Sequence, residues 1–220
     1  FNIDLHSNLG VIKVSPRLQL NTGGVANQGI SVAFKENDAN IWTVAGTRVF
    51  KSSAANLISS FTEDNSTGAL TDFDSRYSDM EIFNNLLFAT STTKVLSKAQ
   101  DGAGGGAWTA RYSLTTATVP HKLLYFTKFN RLYFLDYDSG SGTMVIKSMD
   151  TSYTTATSGS YFISIPYALG SVYTMASDGT DIWIGTAFYQ TAGSINSMGH
   201  ASILRWDGIS NQITQEYVVK

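Results

Sequence analysis

Cysteine is absent from all 220 residues, and with it go disulfide staples, thiol nucleophiles and thiolate metal sites. Charge is scarce too, at 15% of residues with a net charge of −2. Lys51, Lys98 and Lys128 stand singly, so the chain offers no electrostatic footprint for a phosphate backbone, and nucleic acid is not expected as a partner. No apolar run approaches the ~20 residues that a helix needs to cross a bilayer, and no leader pattern opens the chain. No membrane partner is expected. Phe1 in place of an initial Met reads as a processed product or a domain cut from a longer chain. Helical periodicity is nearly missing: "SSAANLISS" has room for one turn, and β-branched residues follow it.

What is present is greasy and repetitive. With 43% hydrophobic and 12% aromatic residues and only three prolines, the chain has the composition of a folded protein, and at this length roughly 70% of its unfolded surface can be buried. Apolar runs start at Ile41, Leu86, Leu132 and Ile182, 45, 46 and 50 residues apart. Each is preceded by another, "ISVAF" from Ile30, "MEIF" from Met80, "KLLYF" from Lys122 and "SVYTM" from Ser171. A third follows around Val49, Val95, Val145 and Ile203. A fourth closes each unit: "LISSF" from Leu57, "AWTARY" from Ala107, "YFISI" from Tyr161 and "QITQEYVV" from Gln212. Runs of four to eight residues rich in Val, Ile, Tyr, Phe, Trp and Thr, separated by Gly, Asp, Asn and Ser, are strands. Gly46 and Thr47 predict a two-residue hairpin between the second and third strands of the first unit.

Four strands per unit at a period of 40 to 50 residues is the pattern of β-propeller blades, whose sheets bury their faces against one another. The expected fold is all-β, with four four-stranded antiparallel blades at 29–70, 71–118, 119–166 and 167–220. Residues 1–28 are too few for a blade. "GVIKVS" at Gly10 to Ser15 mimics "MVIKSM" at Met144 to Met149, and "RLQL" follows from Arg17, so this segment reads as a half-blade or as closure strands. Its ring would be completed by chain beyond Lys220 or by another subunit.

The last unit carries "DGTDIWIGTA" from Asp178 and "ILRWDG" from Ile203. It resembles the repeats of regulator-type propellers, in which DG, an apolar-Trp pair, GT and a Trp-Asp turn follow one another. The opening "LHSNLGVIKVSPRLQL" is similar in style to the openings of uncharacterised propeller-like proteins in phage virion gene sets. These resemblances imply a propeller fold and, for the second, a virion setting.

No motif names a reaction. Asp136, Asp138 and Gly140 alternate as at the start of a calcium loop, but position twelve, where a bidentate Glu belongs, is Lys147. A solvated hairpin turn is expected. "DGAGGGAW" from Asp101 approaches a dinucleotide glycine pattern, but a strand follows it where that pattern needs a helix. His6, His121 and His200 are dispersed, and no metal or cofactor is expected. The pairs Asp72/Asp74 and Asp79/Glu81 supply carboxyls for a glycosidase only if the fold sets two of them across a sugar. "SDGTDIW" from Ser177 misses the spacing of a sialidase Asp-box. Arg48, Arg76, Arg111, Arg131 and Arg205 read as surface residues along their strands. Trp42 and Trp183 fall at equivalent repeat positions, which predicts packing between sheets for both.

One segment departs from the repeat. Between Ala187 and Ala201 the loop swells to "FYQTAGSINSMGH", and long loops in compact repeats are commonly functional. Phe188, Tyr189, Met198 and His200 on a Gly/Ser frame suit a protein interface. The reading is a noncatalytic structural or interaction module of an extracellular or virion assembly, with a protein partner or a homo-oligomer. The alternatives are a glycan-binding or glycan-hydrolysing propeller and a ligand-sensing receptor ectodomain.

Overall fold

The computed structural model describes residues 3–4, 13–14, 30–36, 40–53, 56–64, 72–74, 77–99, 106–115, 119–166, 171–188 and 200–219. Among them every regular element is a strand. β1 (Ile3–Asp4) pairs antiparallel with β2 (Lys13–Val14) as a separate two-stranded sheet. Residues 17–20, expected behind this strand, lie outside the described residues.

Four antiparallel meanders follow. The first orders β3 (Ile30–Glu36), β4 (Asn40–Ala45), β5 (Arg48–Ser53) and β6 (Asn56–Glu63) in sequence, and β6 replaces the helical turn for which "SSAANLISS" had room. The second is built from β7 (Met80–Phe83), β8 (Leu86–Thr90), β9 (Lys94–Ala99) and β10 (Thr109–Ser113). In the third, β11 (Leu123–Phe126), β12 (Arg131–Asp138) and β13 (Thr143–Met149) are completed by two short strands, β14 (Thr155–Ala156) and β15 (Ile163–Ser164), both paired with β13. The connection after Met149 thus contributes a short strand of its own before β15. The fourth sheet orders β16 (Ser171–Ser177), β17 (Ile182–Phe188), β18 (His200–Trp206) and β19 (Gln215–Val219).

Hairpin chemistry sets the register. Ala45 faces Arg48 across Gly46 and Thr47, with Gly46 at φ 59°. Asn84 and Asn85, at φ 50° and 59°, join Phe83 to Leu86. Positive φ at both central positions matches the right-handed twist of the strands, and Asn tolerates it better than most residues.

The sheets stack as blades. The first strands of successive sheets touch, β3 on β7, β7 on β11 and β11 on β16, and the core divides into clusters that each join two neighbours. Trp42, Val44 and Val49 of the first sheet meet Met80, Leu87, Ala89 and Leu96 of the second. Phe83, Phe88 and Val95 of the second meet Leu123, Leu132 and Phe134 of the third. Tyr133, Leu135 and Ile146 of the third meet Ile182, Ile184, Leu204 and Trp206 of the fourth. A middle sheet is thus covered on both faces, which is why β8 and β12 read as continuous buried runs without alternation.

These contacts correct the repeat register. Leu132 and Ile182 face the preceding sheet, but in the second unit that side belongs to Leu87, while Leu86 packs toward the third sheet. A side-chain period of two makes a one-residue offset change the face. In proper register Trp42, Phe88, Tyr133 and Trp183 are equivalent, and the first three are fully buried against the sheet that follows.

Buried polar groups in the interfaces are paired. Asp64 accepts from Lys98 Nζ at 2.8 and 3.0 Å and from Trp108 Nε1 at 2.9 Å. Asp136 takes Lys147 Nζ at 2.7 Å and the amide of Thr115 at 2.9 Å, while Lys147 also donates to Tyr112 Oη at 2.8 Å. Asp136 is therefore a fully buried interface residue and no part of a solvated turn. That description fits Asp138, which accepts from the amide of Gly140 and the hydroxyl of Ser141.

At the junction of the third and fourth sheets, the "RWDG" turn fits against Phe126 and Tyr133. Trp206 meets Tyr133 edge-on at 5.5 Å, and Tyr133 Oη donates to the carbonyl of Gly208 at 2.6 Å. Gly208 sits at φ 81°, where a Cβ would lie 2.7 Å from a Phe126 ring carbon. Gly208→Ala should therefore cost about 1–3 kcal/mol, read as a lower urea midpoint at unchanged slope. Asp136→Ala strands Lys147 in the second interface without its counter-ion. A loss of about 3–5 kcal/mol is expected in the same titration.

Candidate interaction surface

The fourth sheet is built differently from the two before it. Along β17 Ile182 and Ile184 are buried on the third sheet and Thr186 is buried too, whereas Trp183, Gly185 and Ala187 are only half-buried. β18 alternates likewise, with Ser202, Leu204 and Trp206 buried and Ile203 and Arg205 on the other side. One face of this sheet is core; the other faces outward with no sheet over it among the described residues. Tyr173 at 46% exposure, Ile203 at 43%, Tyr217 at 45% and Val218 at 55% are the large exposed hydrophobics of the described residues. All four belong to this sheet.

The outward face is ordered by polar contacts. Trp183 Nε1 donates to Asp178 Oδ2 at 2.9 Å, and the ring lies 6.1 Å from Tyr217 at an interplanar angle of 33°. Arg205, the cross-strand partner of Trp183, grips Asp181 through Nε at 2.9 Å and Nη2 at 2.6 Å and passes 5.9 Å from the indole centroid. The Asp178 carboxyl is held down at about 2 because it accepts from the backbone amide of Asp181, the Trp183 indole and the amide of Thr180. Trp183 thus departs from its expected place between two sheets. The repeat position is right, but no described sheet follows.

Of the residues assigned to the swollen loop, Phe188 ends β17 and His200 begins β18, and the two are cross-strand partners. Residues 189–199, which include Tyr189 and Met198, lie outside the described residues. The break in the repeat marks this loop and not Tyr173, Ile203 and Tyr217 in the strands beside it. Their sequence signal is the alternation in "SILRW" that the middle sheets lack.

Beside the outer strands of the third and fourth sheets runs a groove of ≈ 550 Å³, lined by Ile163, Pro166, Asn211, Gln212, Gln215 and Glu216 among others. It opens where β15 is only two residues long.

The remaining candidates have structural surroundings. Asp79 and Glu81 point their carboxylates from the second sheet at the third, where Asp79 Oδ2 accepts from the amide of Leu123 at 3.1 Å and Glu81 Oε2 from that of Tyr125 at 3.4 Å. Burial pushes both carboxyls up, and the amides and, for Asp79, the nearby Lys122 only partly offset it. Asp72 accepts from the hydroxyls of Ser91 and Thr93. His121 is fully buried, its ring Nδ1 3.2 Å from the carbonyl of Leu135. Among the described residues no three His, Asp or Glu side chains gather as a metal site, and no helix is long and apolar enough to cross a membrane. His6 and residues 101–105 of the glycine-rich segment lie outside the described residues.

No protein-family model matches the chain, and no curated protein matches it. Among solved structures it is similar to the N-terminal domain of Nup159, with 11% identity over 84% of this chain and 48% of that one and a TM-score of 0.46. It is similar to the WD40 domain of SCAP from fission yeast, at 10% identity over 86% and 52% of the two chains and a TM-score of 0.42. A third likeness is to PorZ, a surface component of the type-IX secretion system of Porphyromonas gingivalis, at 12% identity over 87% and 28% with a TM-score of 0.37. The chain spans about half the length of the first two and under a third of PorZ.

The raised carboxyls carry a pH signature. A folded-state value above the unfolded 3.8 of Asp79 and 4.5 of Glu81 means that their contribution to stability is complete below those values and is lost as pH rises through the folded ones. Asp79→Asn keeps an acceptor oxygen but never ionises. Chemical denaturation at about pH 4 and about pH 7 should therefore show the wild type losing ground to the variant at the higher pH; a gap that widens in the wild type's favour contradicts the assignment.

Proposed function

We propose that this protein is a noncatalytic structural or protein-interaction module of an extracellular or virion assembly. The observation that carries this reading is the pair of exposed apolar side chains Ile203 and Tyr217, cross-strand partners on one face of the fourth sheet, with Tyr217 against a half-buried Trp183. Soluble monomers seldom leave such side chains together without a partner, and Tyr and Trp are the residues that interfaces favour. Phe188 and His200, the first and last residues of the swollen loop, stand at the end of the same sheet. The virion setting rests on the likeness of the opening segment, and the regulator-type character of the last unit on its DG and Trp-Asp turns, where Asp178 and Asp207 each cap backbone amides.

A glycan-binding module is the second reading. It is favoured by the Trp183 and Tyr217 rings, on which a sugar can stack, and by the amide side chains of Asn211, Gln212 and Gln215 along the outer groove. A glycan array incubated with wild type and with Trp183→Ala separates the two. The interaction-module reading expects neither retention nor turnover of any saccharide; retention lost in Trp183→Ala, or hydrolysis abolished by a single carboxylate change, establishes the second reading in its place.

A further inference from the structure

β7 and β11 are the first strands of neighbouring sheets and touch without pairing as strands. Alternate amides of such a strand point away from its partner in the sheet, and in β11 two of them are met by carboxyls. The amide of Leu123 donates to Asp79 Oδ2 at 3.1 Å and that of Tyr125 to Glu81 Oε2 at 3.4 Å. The other oxygen of each carboxyl accepts from the residue that follows it, Met80 or Ile82, at 2.9 Å. All four oxygens thus face amides, and among the described residues neither group has a cation at bonding distance. No other two first strands are joined by side-chain bonds of this kind among the described residues.

The surroundings leave little to hold a negative charge here. Lys122, which precedes β11, favours the ionised form of Asp79, whereas the charged neighbour of Glu81 is Asp79 itself, which opposes its ionisation. β8 presents the hydroxyl of Thr90, which accepts from the Asp79 amide at 2.8 Å and donates to the His121 carbonyl at 2.7 Å. The His121 ring lies against the carbonyl of Leu135, Tyr125 Oη donates to Asn130 Oδ1, and the carbonyl of Tyr77 accepts from the His121 amide. β3 also touches β7 and carries Lys35 and Glu36, whose side chains lie outside the described residues.

We infer that Asp79 and Glu81 form a pH-operated clasp between the second and third sheets, closed in acid and released toward neutral pH. A carboxyl accepts an amide bond whether or not it is protonated. Ionisation strengthens that bond, but it also places a charge where water is largely excluded. Burial prevails over the amides, since both groups are pushed up from 3.8 and 4.5. The bonded arrangement is therefore at full strength below those values and weakens as pH rises through the higher folded-state ones. Two like charges two residues apart then gain by turning to water, which leaves the amides of Leu123 and Tyr125 without their acceptors. The clasp belongs to the second junction and owes nothing to the open face of the fourth sheet, so its failure leaves the interaction module standing.

The test is residue-resolved amide hydrogen exchange of the whole chain by NMR at about pH 4 and about pH 7, each rate referred to its unprotected value at that pH. In the wild type the protection of Leu123 and Tyr125 should fall roughly tenfold or more between the two conditions. Leu124 and Phe126, which pair with Tyr133 and Arg131 of β12, should change far less. Asp79→Asn combined with Glu81→Gln keeps acceptor oxygens and removes the charge, so the fall at Leu123 and Tyr125 should vanish. Unchanged protection at these two amides in the wild type overturns the inference. A fall shared equally by Leu124 and Phe126, which marks loosening of the whole fold, overturns it as well, as does a fall that persists in the double variant. If that variant does not fold, the contrast among the four wild-type amides decides.

Discussion

A β-sheet that lies between two others must be apolar on both faces, and the architecture follows from meeting that demand once per unit. Phe88 and Leu87 are neighbours in sequence yet belong to different interfaces, as do Tyr133 and Leu132. The same strand therefore stabilises two junctions, and each junction excludes water only while both of its sheets are in place. Polar atoms enter these junctions in matched sets. The third strand of every unit carries a cation, Lys51, Lys98, Lys147 or Arg205. Lys98 and Lys147 meet a carboxylate inside a junction, Arg205 meets one on the open face, and Lys51 lies over the ring of Trp42. Pairing of this kind offsets the desolvation that an isolated buried charge would suffer.

The inner strands raise a different problem. β11 is the first strand of its sheet, and its outer edge would present unpaired amides toward the second sheet. Asp79 and Glu81 accept from the amides of Leu123 and Tyr125, so side chains of one blade do for the next what a further strand would do. The arrangement keeps two carboxylates in a buried setting, where desolvation works against their charge. Residues that look in sequence like a catalytic pair are thus used to join sheets.

Much of the fold was legible in advance because strand signals are local. The Gly46–Thr47 hairpin, the four second strands and the outer strands from Leu57, Ala107 and Gln212 depend on β-branched and aromatic runs bounded by turn residues. The face of each residue was less accessible. "LLFAT" offers apolar side chains on both sides, so nothing local tells whether Leu86 or Leu87 matches Leu132. Only the packing of Leu87 on the first sheet and of Leu86 toward the third decides it. Asp136 was misplaced for a related reason: beside Asp138 it looks like part of a turn, and the Lys147 that satisfies it belongs to the opposite strand.

The candidate surface divides along the same line. Phe188 and His200 could be picked out because the loop between them breaks the period, which is a property of spacing alone. Trp183, Ile203 and Tyr217 have only the alternation in "SILRW" to mark them, because their residue types are those of a core and exposure is a property of neighbours. By itself the sequence determined strand content, the four-unit repeat and the absence of thiol chemistry, since each depends on composition or on contacts within a few residues. The tertiary structure alone decided which faces are covered, how Asp136 and Glu81 are satisfied, and that the equivalent aromatic is core in three units and surface in the fourth. Burial is set by what lies across the interface, and that is not written in the residue being buried.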